Sequence, residues 1–133
     1  MKLQVVTPKE REVDLDVDSV TLPGSLGEMT ILPGHTALVS NLDVGVLAYE
    51  VNGTTTLVAI SCGFVEVLDD QVTVLSETCE EKNEIDVERA QRAYGRAQER
   101  MAKAVSDDRI DVARAEYARR RALARLLVTG KHN

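Results

Sequence analysis

Glu12-Val13-Asp14-Leu15-Asp16-Val17-Asp18 alternates acid and aliphatic without a break. Successive side chains of a strand point to opposite faces, so Val13, Leu15 and Val17 share one side and the four acids the other, the pattern of a half-buried strand. The acids also make the outer face a poor template for edge pairing. Working outward, the same period of two predicts strands at about Leu3–Val6, Val20–Leu22, Met29–Leu32, Leu38–Ser40, Val46–Val51, Thr55–Ile60, Phe64–Leu68 and Val72–Ser76. Asn52-Gly53 and Asp69-Asp70 fall where tight hairpin turns belong. Between Leu22 and His35, Leu-Pro-Gly-Ser-Leu-Gly-Glu-Met-Thr-Ile-Leu-Pro-Gly-His, two Pro-Gly pairs bracket a Gly-Glu turn; each pair is expected to be a turn, with Ile31-Leu32 as strand between them. That stretch reads either as a shaped binding edge with no catalytic group or as a well-made pair of turns.

At about Thr78 the period changes. Val87, Ala90, Tyr94, Ala97, Met101 and Ala104 recur at steps of three and four, one stripe of a helix, with Asp86 available as its N-cap. A second helix is expected from about Ile110, with Ser106–Asp108 making the turn and supplying caps and Gly130 stopping it. Its stripe is Val112, Ala115, Ala118, Ala122 and Leu126, with Leu123 and Leu127 beside it. The expected fold is α+β by content, an N-terminal antiparallel β-sandwich followed by a C-terminal α-helical hairpin. The division falls at residues 1–84, sandwich with connector, and 85–133, hairpin. The facing residues of the hairpin are mostly Ala, and burial is worth roughly 0.8 kcal/mol per CH₂, so an Ala seam holds far less firmly than a Leu seam. Joined through the polar connector Glu77–Glu84, such a hairpin has the form of a movable arm, a signature it shares with a static appendage.

The 133 residues are 44% apolar with no Trp and one Phe, so any core must be aliphatic. No positively charged start leads an apolar run, and none approaches the ~18 residues a membrane span needs, so the chain is expected to be soluble and not exported by its own signal. Cys62 and Cys79 lack metal-ligand spacing and read as free thiols in a reducing compartment. The net charge of −6 hides a division: residues 1–84 carry 15 acidic and 4 basic side chains, residues 85–133 carry 7 and 12. The basic tail is drawn to the acidic body of its own chain or to another acidic surface.

No phosphate loop, His-Glu-x-x-His or Gly-x-Ser-x-Gly elbow occurs, and neither His35 nor His132 has a credible nucleophile nearby in sequence. The carboxylates read as solvated strand faces. An enzyme has no residues to stand on. Arg89, Arg92, Arg96 and Arg100 form a basic strip on the first helix, and Arg114, Arg121 and Arg125 share a side of the second. These are either solvated faces or two strips whose guanidinium forks converge on one phosphate chain. Nucleic acid is disfavoured by the acidic body and by the lack of aromatic residues between the bases.

The order Gly-Glu, apolar run, Leu32-Pro33-Gly34-His35, then Ser61-Cys62-Gly63-Phe64-Val65-Glu66-Val67, then Ile85-Asp86-Val87-Glu88-Arg89-Ala90 resembles the epsilon subunit of the rotary ATP synthase, from about Leu3 to Val128. The resemblance implies a non-catalytic rotor subunit of a proton- or sodium-translocating enzyme, peripheral on the cytoplasmic face of the membrane, whose sandwich binds the gamma subunit and the c-ring. It implies a hairpin that either folds on the sandwich or extends into the catalytic alpha/beta hexamer and hinders ATP hydrolysis. Glu28 and His35 then belong to the c-ring-facing edge, while Thr30 departs from the Gly common before the Ile-Leu-Pro-Gly-His run. Some bacterial members bind ATP through a motif like Ile/Leu-Asp-x-x-Arg-Ala, matched by Ile85, Asp86, Arg89 and Ala90. Glu80, Arg96, Arg121 and Arg125 match the accompanying positions. ATP would then be a regulatory ligand, with no cofactor required: Arg89, Arg96, Arg121 and Arg125 on the phosphates, Glu80 and Asp86 near the adenine end. A free-standing ATP-sensing or anion-binding module is the alternative, with a nucleic-acid-binding hairpin third.

Overall fold

The computed structural model describes residues 1–131, so His132 and the last residues of the expected hairpin domain lie outside the described residues. Ten strands come first: β1 Lys2–Val6, β2 Arg11–Asp16, β3 Ser19–Gly24, β4 Gly27–Ile31, β5 Leu38–Leu42, β6 Gly45–Val51, β7 Thr54–Ile60, β8 Gly63–Leu68, β9 Gln71–Ser76 and β10 Cys79–Glu80. Helices α1 Val87–Lys103 and α2 Val112–Thr129 follow. Every strand expected from the period of two is present. The strands run in the order β10-β7-β6-β3-β5-β8-β9-β1-β2, with β4 also on β3. All pairs are antiparallel except β1 with β9, which brings the start of the chain beside the last long strand. β3 is shared: Ser19–Thr21 pair with β6 and Gly24 pairs with Leu42 of β5, so the sheet folds over on itself there.

The inward faces meet in an aliphatic core. Leu3, Val5, Val20, Leu22, Ile31, Leu47, Val58, Val65, Val67, Val72 and Val74 are at most 1% exposed, and Val13 and Val17 of the alternating acidic stretch join them. Asn52 and Gly53, and Asp69 and Asp70, all have positive φ, as two-residue hairpin turns with the favoured twist require. Gly63 has no alternative, since a Cβ there would lie 1.8 Å from the Leu75 carbonyl oxygen.

Two expectations at the Pro-Gly pairs divide. Pro33-Gly34 is a turn, with Gly34 at φ 81° and the His35 amide donating to the Leu32 carbonyl oxygen at 3.2 Å. Pro23-Gly24 instead lies inside β3, opposite Glu28 and Gly27, and Ser25-Leu26 makes the turn. Proline is tolerated there because β6 pairs with β3 only over Ser19–Thr21, so Pro23 gives up no ladder bond to it. Leu32 falls just outside β4 and is exposed. Thr30 sits within β4, its hydroxyl 3.1 Å from that of Thr21.

The connector also differs from expectation. Cys79 and Glu80 pair with Ile60 and Ala59, so the polar run begins with a short edge strand, and Cys79 is in the core. A buried hydroxyl cluster fixes this departure: the Ser61 and Thr78 amides donate to Ser76 Oγ at 3.2 Å and Ser61 Oγ at 2.9 Å. The Ser76 hydroxyl in turn lies 2.7 Å from the Thr78 carbonyl oxygen. Both cysteines are free; Cys62 is exposed, and burial pushes the Cys79 thiol up to about 12. Only Glu81–Asp86, containing a 3-10 turn at Lys82–Glu84 with no buried residue, is left as a pliant link.

Asp86 caps α1, accepting from the Arg89 amide at 3.1 Å. Asp111, and not Ser106–Asp108, caps α2, accepting from the Arg114 amide at 3.1 Å. Asp107 instead chelates Arg109 within the turn. Gly130 adopts the left-handed conformation; its amide reaches the Leu127 carbonyl oxygen and that of Lys131 reaches Leu126, the double closure of a glycine-stopped helix.

Candidate functional site

Helix α1 packs on α2, and α2 packs on β6 and β7. The stripe predicted for α1 is the one that turns inward, with Ala90 and Ala97 buried. On α2 the prediction needs correction. Ala115, Ala122 and Leu126 are buried, but Val112, Ala118 and Leu127 are exposed. A second face, Ala124 and Val128, meets Ala59 on the sandwich, with Val46, Leu57 and Ile85 around them. The middle helix of three layers must bury two sides, and a reading that sought one stripe found only the side toward α1.

Three polar contacts border that seam. Arg125 Nε donates to Glu80 Oε1 at 2.8 Å, each side chain about three-quarters buried at 28% and 27% exposure. Arg120 pairs with Asp43 at 3.3 Å in a more exposed contact. The Tyr117 phenol faces the Cys62 thiol; burial and that thiol raise it above its ordinary value, and Arg121 stacks 5.7 Å from its ring centre. Arg119 is held by Glu116 through two hydrogen bonds within α2, at 3.1 and 2.7 Å. Neither the 45-residue separation of Glu80 and Arg125 nor the Asp43–Arg120 pair leaves a local sequence signal.

The residues of the nucleotide-like motif are divided by the fold. Arg121 and Arg125, one turn apart, line a narrow crevice with Glu80, Ala124, Ala59, Ile60, Ser61 and Thr78. Asp86 spends its carboxylate on the α1 cap, Ala90 is buried in the helix pair, and Ile85 borders the α2 seam. Arg89 and Arg96 are exposed on α1. Glu80, expected near the adenine end of a bound nucleotide, is bonded in the structure to Arg125, one of the arginines expected on the phosphates. Arg125 also borders a cleft walled by Glu10, Glu12, Glu77 and Glu84. Among the described residues no group of three or more His, Cys, Asp or Glu is placed to hold a metal ion.

Elsewhere on the sandwich Glu28 on β4 and His35 after the Pro-Gly turn are both exposed, and the His35 ring nitrogen Nδ1 lies 2.8 Å from the Thr36 carbonyl oxygen. The Gly34 amide donates to Asp70 at 2.8 Å, which ties this turn to the β8–β9 hairpin. Leu26 at the β3–β4 tip and Leu32 beside the turn stand fully or largely in solvent. Sequence reasoning missed a further surface. Phe64 and Leu75 oppose each other across β8 and β9 and are 43% and 38% exposed, flanking an open apolar groove with Val6 and Pro8. The signal was present: between Gly63 and Val67 the period of two puts Phe64, with Glu66, on the outer side.

Among the described residues no helix is long and apolar enough to cross a membrane. Residues 1–82 match the model of the ATP synthase delta/epsilon chain β-sandwich domain, and residues 83–130 that of the delta/epsilon chain long α-helix domain. The ATP synthase epsilon chain of Trichlorobacter lovleyi is 42% identical, covering 98% of this chain and 94% of its own. That of Syntrophobacter fumaroxidans is 45% identical, covering 98% and 96%. A chain in the solved structure of the Euglena gracilis mitochondrial ATP synthase, OSCP/F1/c-ring in rotational state 1, superposes with a TM-score of 0.80 at 26% identity, over 98% of this chain and 80% of that one.

Proposed function

The chain belongs to the delta/epsilon chain family of ATP synthase, a family of non-catalytic stalk subunits, and on that premise we propose that it is a central-stalk subunit that couples gamma to the c-ring and restrains ATP hydrolysis through a releasable hairpin. The supporting observation is the unequal attachment of its two parts. The sandwich closes on its own aliphatic core, while α2 rests on it through Ala59, Ala124 and Val128 and a few polar contacts. Released, the hairpin carries Arg114, Arg120 and Arg125 to acidic surface on the alpha/beta hexamer. The exposed apolar face around Phe64 and Leu75 supports a permanent partner on the sandwich, for which gamma is the candidate. The edge holding Glu28 and His35, with Leu26 and Leu32, faces the c-ring, and the whole sits peripherally on the cytoplasmic face of the membrane.

ATP is a regulatory ligand of the docked hairpin in this reading. Arg121, lining the crevice, and Arg89 and Arg96, exposed on α1, suit a phosphate chain; Ile85 and Asp86 shape the link and Ala90 the start of α1 beside it. Charge-assisted contacts are worth about 1.5–3 kcal/mol each, so Arg121→Ala weakens ATP binding about tenfold or more while Arg114→Ala changes it little, by calorimetry. The function itself is tested in two steps. The chain elutes with the other synthase subunits, which a free-standing sensor would not do. In the reconstituted enzyme, undocking the hairpin by Ala124→Asp lowers ATP hydrolysis below that with the wild-type chain; equal rates would remove the inhibitory arm from the account.

A further inference from the structure

We infer that Glu80 is a built-in competitor for the nucleotide: its carboxylate occupies the Arg125 guanidinium in the phosphate's stead and latches the hairpin to the sandwich when no nucleotide is bound. The inference rests on the regulatory ATP site just proposed and corrects the roles within it. An adenine amino group and a phosphate chain lie at opposite ends of a nucleotide with a ribose between them. Arg125 Nε and Glu80 Oε1 touch at 2.8 Å, so a phosphate that takes this donor must displace the carboxylate oxygen that holds it.

Three observations favour the internal pair. Glu80 is anchored, because its backbone is paired with Ala59 on β7 and its neighbour Cys79 is buried in the core. Arg125 is delivered to it by the packing of the adjacent Ala124 on the same Ala59, so the ion pair continues the apolar seam and strengthens with it. Around Arg125 stand Glu10, Glu12, Glu77 and Glu84 besides Glu80. A polyphosphate approaching Arg125 in this conformation meets five carboxylates against two cations, Arg125 and Lys9, and the excess of like charge opposes it. Arg121, one turn earlier, stacks on Tyr117, and the carboxylate that lines its crevice, that of Glu80, is bonded to Arg125. Nucleotide binding therefore starts at Arg121, and a phosphate that takes Arg125 Nε draws it away from Glu80. The hairpin is docked with or without ATP, and the nucleotide exchanges one latch for another.

The test is a double-mutant cycle in the full chain, using Glu80→Gln, which keeps the side chain's shape, and Arg125→Ala, with ATP titrated by calorimetry. Glu80→Gln binds ATP several-fold more tightly than wild type, and Arg125→Ala costs about tenfold more affinity in the Glu80→Gln background than alone. Weaker ATP binding by Glu80→Gln, as an adenine-contacting carboxylate demands, overturns the inference. If none of the four proteins binds ATP, the nucleotide-site reading fails by itself, and amide exchange without nucleotide decides the latch. Each single variant then raises exchange of the α2 amides several-fold and the double variant no further; unchanged α2 exchange rejects it.

Discussion

Leu47 and Ala124 do the same task in two parts of one molecule, with different consequences. Leu47 is fully enclosed among branched aliphatic residues drawn from both layers of the sandwich. Ala124 is equally hidden, yet it contributes one methyl group to a seam whose other members are chiefly Ala59 and Val128. Equal burial thus conceals unequal attachment, because the free energy follows the apolar area removed from water and not the fraction of a side chain that is covered. One region is built to stay closed; the other can open without disturbing it.

Removing the Leu47 side chain puts the strongest strain on that contrast. Leu47→Ala leaves a cavity and costs about 2–5 kcal/mol of global stability, seen as a lower midpoint in urea with unchanged cooperativity. Ala124→Asp should act elsewhere. An Asp facing Ala59 overfills the close seam and brings into it a charge that Arg121 and Arg125 of the crevice only partly offset, so the hairpin lifts away and the sandwich stays folded. Exchange protection would vanish from α2 and persist in β8 and β9; a common loss in both would erase the distinction between the two regions.

Smaller perturbations sharpen it. Asp43→Asn weakens the exposed pair with Arg120, worth at most about 1 kcal/mol, so it shifts the docked fraction by several-fold at most and should leave thermal unfolding of the sandwich in place. The least effect comes from acid. The hydrogen bonds from Arg119 hold the Glu116 carboxyl below its ordinary value of 4.5, so the folded helix favours the charged form. That contribution is full above pH 4.5 and fades as the pH falls through the lowered value, and Glu116→Gln removes the pH dependence; circular dichroism of α2 between pH 5 and 2 measures it.

The strands were legible because most inward positions carry a branched aliphatic residue and the turns at Asn52-Gly53 and Asp69-Asp70 carry residues that accept positive φ. Partner choice was not. Nothing local to Lys2–Val6 says that it lies parallel to Gln71–Ser76, and Cys79-Glu80 is too short for any period to declare itself. The α2 seam escaped for a related reason: Ala is apolar enough to be buried and small enough to be exposed, so Ala118 and Ala124 look alike in sequence and differ in the structure. At the candidate site only Glu80, Arg121 and Arg125 of the motif's residues line the crevice. Which of them would bind each other was decided by the docking angle of α2, a tertiary quantity, and so Glu80 and Arg125 met across 45 positions.

The short strand β10 has a mechanical meaning. It clamps the chain as far as Glu80, so the lever begins at Glu81 and its tether is the run to Asp86, about 20 Å when drawn straight at about 3.3 Å per residue. Helix α1, 17 residues long, adds a rod of about 25 Å at 1.5 Å per residue. The far end of α1 can therefore lie no farther than about 45 Å from the rim of the sandwich, with only the turn to α2 beyond it. Any target beyond that radius requires α2 to swing out end to end with α1. Such unfolding of the arm separates Ala90 and Ala97 from their partners and leaves a bare alanine stripe that a new surface must cover.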